Sequence, residues 1–316
     1  MRNKKNIVVT GGAGFIGSHL ASRLLEERHK VTILDNLSTG REENIPPKAE
    51  FINTDLGRED TYERIRNIPC DIIFHLAGQS SGEASFHDPL YDLRSHVMST
   101  FWLLKWCGDK HIPRFIYTSS MSTYGDPLQL SVNEDHPQNP KTYYAAAKIS
   151  AEAYVKLYQT LGIDTTIFRL FSVYGPGQNL GNRMQGMVSI YLSYMLEGAP
   201  IVVKGSPERF RDLIYIDDVV NACITAMESP TASGKIYNVA RGEKTKVKDI
   251  LNGLIHAFGV SDYPITYGDG TPGDQFGVVA DIRRIKEDLH WMPEVDLQTG
   301  LNKMAIFEKG RQNVEE

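Results

Sequence analysis

The chain has 316 residues, of which 41% are hydrophobic and 23% charged, and its formal net charge is −5. This composition is typical of a globular protein with one large or two ordinary domains, and it provides no basic surface for nucleic acid. No apolar run approaches the roughly 18 residues of a membrane span, and the basic N-terminus leads straight into the first predicted strand, which argues against a signal peptide. Three scattered cysteines without a Cys-x-x-Cys pair predict neither disulfides nor a metal site, so a cytoplasmic location is expected.

A glycine-rich turn near the N-terminus organises the first part of the chain. The apolar run Ile7–Val9 predicts a buried parallel strand, and a helical apolar pattern follows from Ile16 onward. Between them the segment Thr10–Gly17 reads TGGAGFIG, in which Gly11 permits a tight turn and Gly14 lets the backbone approach a pyrophosphate. A strand, a glycine-rich turn and a helix start in this order predict a phosphate-binding cradle.

Further apolar segments alternate with helical patterns, which predicts an α/β fold with a doubly wound parallel sheet of the Rossmann type. The predicted strands are Lys30–Asp35, Phe51–Leu56, Ile72–Gly78, Phe115–Ser120 and Thr165–Leu170. Ligands of such sheets bind beyond the carboxyl ends of the strands. The residues predicted at those ends are Asp35, Asp55, Ala77, Gly78 and Ser120.

Two side chains on these strands have different expected roles. Asp35 lies about 20 residues beyond the glycines, where an acid binds the adenosine ribose hydroxyls, and its carboxylate favours NAD over NADP. His75 lies within a strand pattern and is expected to be a packed or solvent-linked histidine rather than a catalytic one.

The regular alternation weakens beyond Gly177. Helices are predicted over 183–198, from an N-cap at Asp217 through about Met227, and near 246–258, 281–289 and 297–309, with short strands at Ile201–Val203 and Tyr237–Ala240. We expect residues 1–175 to form an NAD-binding domain, to which the chain returns around 206–240. Residues 176–316 are expected to form a smaller substrate-binding portion.

Tyr144 and Lys148 form the second chemical signal. Residues at i and i+4 share one face of a helix, so the phenol and the ammonium can meet, whereas Tyr143 has the wrong spacing. An unperturbed tyrosine has a pKa of about 10, and a neighbouring lysine together with an oxidised nicotinamide favours the phenolate. Tyr144 could then accept a hydroxyl proton while hydride leaves the same carbon.

Together these motifs resemble the extended short-chain dehydrogenase/reductase family, in its branch of nucleotide-sugar epimerases and dehydratases. The segments that carry the resemblance are Thr10–Gly17, Asp35–Gly40, His75–Gln79, Thr118–Ser120 with Tyr124 and Gly125, Tyr144 with Lys148, Tyr174–Pro176, Arg211 and Asp212 with Asp217–Val219, and Pro272–Asp274. The resemblance implies tightly held NAD, a nucleoside-diphosphate sugar as substrate, and a homodimer that pairs helices near 87–108 and 144–161. It also implies a catalytic set of Ser120, Tyr144 and Lys148.

The same resemblance implies the residues that bind each ligand. Those expected at the cofactor are Gly11, Gly14, Phe15, Ile16, Asp35, Asn36, Ser38, Thr39, Gly40, Asp55, Leu56, Leu76, Ala77, Gly78, Thr118, Tyr144, Lys148 and Phe171. Those expected at the substrate are Ser80, Ser120, Ser122, Ser172, Arg209, Arg211 and Asp274. Arg211 is the first choice for the diphosphate because a guanidinium binds phosphate oxygens bidentately. Arg209 is the second choice, with a free, solvated arginine as its alternative.

The segment after Ser120 favours one reaction over others. Family dehydratases resemble Thr-Asp-Glu here, and the related sugar-acid decarboxylases carry Glu where Ser122 stands, whereas 4-epimerases carry small and hydroxyl residues. Elimination of water needs a proton donor for the leaving hydroxyl, and this segment offers no carboxylate. We therefore expect 4-epimerisation through a transient 4-keto sugar. A net 4-dehydrogenase or keto-sugar reductase, and a non-catalytic dinucleotide-binding module, are the alternatives.

Three positions depart from the family pattern and leave the substrate open. Ser172 and His96 stand where asparagine is frequent, and Thr271 stands where many members have arginine. UDP is the commonest base in the family, while GDP, CDP and dTDP remain alternatives, and the sequence specifies no sugar.

Overall fold

Seven parallel strands form the central sheet of the computed structural model, which describes residues 4–184, 186–270 and 275–315. The strands of the protein are, in chain order, Asn6–Thr10 (β1), Lys30–Asp35 (β2), Glu50–Asn53 (β3), Ile72–His75 (β4), Arg114–Ser120 (β5), Ser131–Val132 (β6), Asp164–Leu170 (β7), Ser172–Tyr174 (β8), Ile201–Lys204 (β9), Phe210–Arg211 (β10), Leu213–Tyr215 (β11), Lys235–Val239 (β12), Thr245–Lys246 (β13), Ile265–Gly268 (β14) and Val279–Ala280 (β15). The α-helices are Phe15–Glu26 (α1), Thr61–Ile65 (α2), Pro89–Asp92 (α3), Ser99–Lys110 (α4), Tyr143–Thr160 (α5), Met187–Leu196 (α6), Ile216–Glu228 (α7), Val247–Phe258 (α8), Arg283–Leu289 (α9) and Leu297–Glu315 (α10).

The strand order in the sheet is β12-β7-β5-β4-β1-β2-β3, with every neighbouring pair parallel. The order reverses between β1 and β4, which creates the crevice where ligands of open α/β sheets bind. The predicted α/β fold with a doubly wound parallel sheet is therefore confirmed. Strand β12 pairs with β7 at one edge, so the chain rejoins the sheet after residue 206.

Helices bury both faces of the sheet because its strands carry apolar residues on both sides. On one face, Val9 and Ile33 pack in a core that includes Leu20 of α1 and Val219 of α7. On the other face, the core of β4 and β5 packs against α4 and α5. Its central residues are Ile73, Phe115, Leu103, Leu104, Trp106, Ala151 and Val155.

Several predicted boundaries shift in the structure. Strand β3 ends at Asn53 and β4 at His75, so Asp55, Ala77 and Gly78 lie in the loops that follow the strands. Asp217 is not an N-cap, because α7 begins at Ile216 and Asp217 lies in its first turn. An acidic side chain is favourable both at the N-cap and in the first turn of a helix, so the sequence does not distinguish these two positions for Asp217.

Between α3 and α4 the helical path continues through a π-helical turn, Leu93–Met98, so that residues 89–110 form one uninterrupted segment beside α5. Such turns are rare and occur frequently at functional sites. No helix in the described ranges is both long enough and apolar enough to cross a bilayer.

Candidate active site

The glycine-rich turn brings β1, β4 and α1 into close contact. Gly11 has a φ of +70°, and a Cβ added there would lie 2.8 Å from the backbone nitrogen of Ala77. A Cβ on Gly17 would lie 2.2 Å from the carbonyl oxygen of Gly11, so α1 packs against the turn at a distance that only glycine permits. Helix α1 has no side-chain cap at Gly14, which leaves the positive end of its dipole available to a phosphate.

Asp35 connects this turn to the loop after β2. One carboxylate oxygen accepts from the backbone nitrogen of Ala13 at 3.0 Å and the other accepts from that of Leu37 at 2.8 Å. Each oxygen retains a second lone pair, so the carboxylate can still accept from a ribose hydroxyl. The side chain is buried but borders the crevice.

Most of the predicted cofactor residues line this one crevice at the point where the strand order reverses. They are Gly11, Gly14, Phe15, Ile16, Asp35, Asn36, Ser38, Thr39, Gly40, Asp55, Leu56, Leu76, Ala77, Gly78 and Thr118. The remaining three, Tyr144, Lys148 and Phe171, line an adjoining cavity of about 700 Å³. Glycines, an open helix end and a ribose-directed acid in one crevice fit a dinucleotide with its pyrophosphate at α1.

The adjoining cavity contains the predicted catalytic residues. Ser120, at the end of β5, and Tyr144 and Lys148, one turn apart on α5, all border it. The ammonium nitrogen of Lys148 donates to the carbonyl oxygen of Thr118 at 2.8 Å and lies 5.9 Å from the centre of the Tyr144 ring. His75 is buried and hydrogen-bonded to Thr10 at 2.8 Å, so it is a packed residue of β4.

Burial opposes the ionisation that the chemistry needs. It raises the pKa of Tyr144 to about 12, while a hydrogen bond with Ser120 acts in the opposite direction. It lowers the pKa of Lys148 to about 7, against the negative charges of Glu152 and Asp92. The polypeptide alone therefore does not make the phenol acidic. A positive nicotinamide beside the phenol would favour the phenolate.

The residues after Ser120 form a hydroxyl cluster without a nearby acid. The Ser122 hydroxyl donates to the Ser120 hydroxyl at 3.0 Å, and the Ser122 backbone nitrogen donates to it at 3.2 Å. Among the described residues that line the cavity, Glu83 carries the sole carboxylate, and it pairs with Lys204 at 3.5 Å. An acid placed for elimination is thus absent from the described part of the wall.

Two buried arginines, Arg209 and Arg211, border the cavity. A guanidinium nitrogen of Arg211 donates to the carbonyl oxygens of Phe210 and Gln275, at 2.7 and 3.0 Å. Burial lowers its pKa to about 10, so it remains a cation at neutral pH. Arg209 is also buried and donates to the carbonyl oxygen of Lys204, so the alternative of a free, solvated arginine is wrong.

Of the remaining predicted substrate residues, three line the cavity and one lies outside the described residues. Ser80, Ser122 and Ser172 line the cavity, and the Ser172 hydroxyl lies 4.0 Å from the sulfur of Met121. Asp274 lies outside the described residues.

Sequence reasoning missed several residues of the site. Arg41 donates to the Asn179 side chain at 2.8 Å, which brings the loop after the Gly175–Gly177 turn to the crevice. The polar residues Gln178 and Asn179 follow a glycine and proline turn, and this signal could have indicated them. Gln275 directly follows Pro272-Gly273-Asp274 and so carries the same signal, whereas Tyr191, which also borders the cavity, follows no such pattern.

Comparison with known proteins gives consistent results. A family profile described as the NAD dependent epimerase/dehydratase family matches residues 7–240. A UDP-glucose 4-epimerase of Mycolicibacterium smegmatis is 34% identical over 307 residues, covering 95% of this chain and 97% of that protein.

Solved structures agree with this result. The UDP-glucose 4-epimerase of Thermotoga maritima with UDP-glucose superposes with a TM-score of 0.93 at 32% identity, covering 97% of this chain and 99% of the other. The UDP-glucose 4-epimerase of Thermus thermophilus in complex with NAD gives a TM-score of 0.90 at 30% identity, covering 96% and 99%.

Proposed function

Because the chain belongs to the NAD-dependent epimerase/dehydratase family, we propose that it is a UDP-sugar 4-epimerase that works through a transient 4-keto sugar. One observation carries the choice of reaction. Ser120, Tyr144 and Lys148 border a cavity whose described wall places Ser122, and no acid, beside the catalytic serine. That wall suits proton transfer at a hydroxyl and lacks the proton donor that loss of water requires.

Three side chains of the protein have separate roles at the C4 hydroxyl of the sugar. Tyr144, as phenolate, accepts the hydroxyl proton and later returns it, and Ser120 hydrogen-bonds the same oxygen. Lys148 holds a positive charge near the phenolate and is placed to bind the nicotinamide ribose. NAD, when bound, supplies the acceptor and then the donor of the hydride at C4. The ketone must present its other face before the second half of the reaction, and the large cavity leaves room for that rotation.

Arg211 and Arg209 are the proposed binding groups for the substrate diphosphate. Both arginines are buried and border the cavity, so an anion there meets little competition from water. A tethered diphosphate holds the substrate while the sugar turns. UDP is the proposed nucleotide, supported by the relatives named above. The division into a cofactor-binding part, 1–175, and a nucleotide-sugar-binding part, 176–316, belongs to the same proposal.

The direct test is to incubate the purified protein with UDP-glucose and to follow UDP-galactose by proton NMR, while recording absorbance at 340 nm. We expect interconversion without net NADH formation. The same assay with UDP-N-acetylglucosamine and UDP-glucuronate identifies the preferred sugar. Stoichiometric NADH with accumulation of a keto sugar would instead establish the alternative, a net 4-dehydrogenase. No turnover, together with binding of NAD, would support the non-catalytic module.

A homodimer is part of the proposal. Leucines are exposed on the two neighbouring helical segments, with Leu90 at 64% and Leu157 at 53%, and Leu161, directly after α5, is 68% exposed. Two such segments per subunit suit a four-helix contact with a second copy. Light scattering should give twice the monomer mass, and Leu157→Glu should give a monomer. We also propose a cytoplasmic location, with which the three free cysteines are consistent.

A further inference from the structure

A buried polar cluster lies behind the catalytic phenol. The His96 ring packs edge-to-face against the Tyr144 ring, with centroids 5.3 Å apart and planes at 69°. His96 has no exposed surface and lies in the π-helical turn Leu93–Met98. It does not border the cavity, so its contact with the reaction is through Tyr144.

The His96 ring packs between the backbone of Gly78 and the ring of Tyr144. A Cβ on Gly78 would lie 2.3 Å from Cε1 and 2.5 Å from Nδ1 of His96, so the imidazole fills the space between that backbone and the phenol. Gly78 itself borders both the cofactor crevice and the substrate cavity. The imidazole therefore connects the end of β4 with the ring of Tyr144.

No side chain of the described residues forms a hydrogen bond with a ring nitrogen of His96, and the backbone of Gln79 lies near enough to act on the ring as a hydrogen-bond partner. The nearest carboxylate is that of Asp92, one turn earlier, whose Oδ1 lies 3.6 Å from Nε2. The Asp92 side chain is itself 1% exposed and accepts from the Gln79 amide at 3.2 and 3.3 Å. A buried imidazole that faces a buried carboxylate across a slightly long gap needs only a small shift to form a hydrogen bond.

Burial and nearby charges determine the protonation states of Asp92 and His96. Burial, assisted by the charge of Lys148, holds the pKa of His96 well below its usual range, while the backbone of Gln79 acts in the opposite direction. Burial raises the pKa of Asp92 to about 6, Asp88 adds to the rise, and Gln79 and Lys148 oppose it. Near neutral pH the imidazole is therefore neutral and Asp92 is largely ionised. The other groups that face the pair are Tyr144 on α5 and His75 on β4. Burial holds the pKa of His75 well below its usual range.

We propose that Asp92 and His96 form a positioning pair for Tyr144. Asp92 fixes the proton of the neutral imidazole on Nε2, and the imidazole fixes the phenol ring in the orientation that meets the sugar hydroxyl. This inference rests on the proposed function, in which Tyr144 takes the C4 proton.

The charge of Asp92 also acts directly on the catalytic groups, since it raises the pKa of both Tyr144 and Lys148. Replacement by the uncharged, isosteric asparagine therefore lowers the pKa of the phenol. The acidic limb of the kcat profile should move to lower pH. A residue that only filled space would leave that limb unchanged.

The kinetic test compares Asp92→Asn, His96→Asn and the double variant with His111→Asn as the control. His111 is an exposed residue at the end of α4 whose left-handed conformation asparagine tolerates. We expect kcat to fall about 10- to 100-fold in each variant of the pair. KM for the UDP-sugar should change less than about twofold, because the pair does not touch the substrate. The double variant should be no worse than the more affected single one, because the two residues act as one unit.

The second readout needs no turnover. In the ¹⁵N-histidine spectrum of the holoenzyme, His96 should remain neutral from pH 6 to 8 with its proton on Nε2, and Asp92→Asn should change its nitrogen shifts. His96→Gln identifies the signal, and the wild-type protein supplies the tautomer if the other variants fold poorly. A proton on Nδ1, a charged His96 at pH 7, or additive kinetic losses would each overturn the proposal.

Tyr144→Phe separates this proposal from the one on which it rests. If Tyr144→Phe abolishes turnover while Asp92→Asn and His96→Asn retain the rate and pH profile of the wild type, the positioning pair is wrong and the epimerase mechanism stands. If Tyr144→Phe retains turnover, the mechanism itself is wrong.

Discussion

The proposed cofactor crevice and the proposed nucleotide-sugar cavity are built in different ways. The crevice consists largely of backbone at the ends of neighbouring strands, and its glycines leave no room for one more carbon, as at Gly11 and Gly17. The cavity is walled by side chains from distant segments, including Tyr144 on α5 and Arg211 on β10. The crevice should therefore be sensitive to added atoms, and the cavity to removed functional groups.

The largest effect is expected from removing the hydroxyl oxygen of Tyr144. Tyr144→Phe removes the proton acceptor and leaves the ring packing in place, so kcat should fall about 10³-fold, within the usual range for an acid–base group. Epimerisation measured by NMR tests this, with NAD content measured in parallel. Tyr143→Phe is the control because Tyr143 is 51% exposed and on a different face of α5. Equal losses in both variants would contradict the assignment.

The matching change in the crevice adds one methyl group. In Gly17→Ala the new carbon would lie 2.2 Å from the Gly11 carbonyl oxygen, so the turn must open. We expect a loss of about 2–3 kcal/mol in unfolding free energy, as for overpacked cores, together with weaker NAD binding. Urea denaturation and fluorescence titration measure the two effects.

Gly310→Ala is the control for this change. Gly310 is a helical glycine, and outside its own helix backbone no described atom lies within 4 Å of the added carbon, so alanine should stabilise α10 by up to about 1 kcal/mol. Similar behaviour of both variants would show that the crevice is not closely packed around Gly17.

A charge removed from the cavity should affect the substrate and spare the cofactor. Arg211→Gln should raise KM for the UDP-sugar about 30-fold, which corresponds to a charged hydrogen bond of about 2 kcal/mol. NAD affinity should stay unchanged because Arg211 does not border the crevice. Arg283→Gln, at a side chain that is 78% exposed, provides the control. Parallel weakening of NAD binding would show that the two regions are not independent.

The smallest expected effect concerns the pH dependence of stability. Burial lowers the pKa of Lys148 to about 7, whereas lysine in an unfolded chain keeps its proton up to a pKa of about 10.4. Between these values the unfolded chain binds more protons, so this group makes the free energy of unfolding rise with pH, by at most about 1.4 kcal/mol per unit. Lys148→Met should flatten the slope between pH 7.5 and 9 in urea titrations of the NAD-free protein. A slope equal to that of the wild type would indicate a lysine that keeps its proton.

Prediction from the sequence succeeded where local pattern and chemistry coincide. The glycine turn between β1 and α1, Asp35 at the end of β2, and the i, i+4 pair on α5 are all encoded within a few residues. The start of α7 was predicted wrongly because an acid is favourable both at the N-cap and in the first turn of a helix, and Asp217 lies in the first turn.

Prediction failed where a property depends on several segments at once. The burial that raises the pKa of Tyr144 and lowers that of Lys148 depends on packing around α5. The burial of Arg209 and Arg211 likewise depends on loops that the sequence does not connect to them.

The sequence by itself determined the fold class, the glycine-rich turn between β1 and α1, and the shared helix face of Tyr144 and Lys148, because each depends on neighbours along the chain and on the period of a helix or strand. Only the tertiary structure decided which buried groups surround that pair, including the Asp92 carboxylate and the His96 imidazole behind the phenol. The physical reason is that desolvation and electrostatic interaction depend on distance in space, which the chain sets only after its helices and strands have packed.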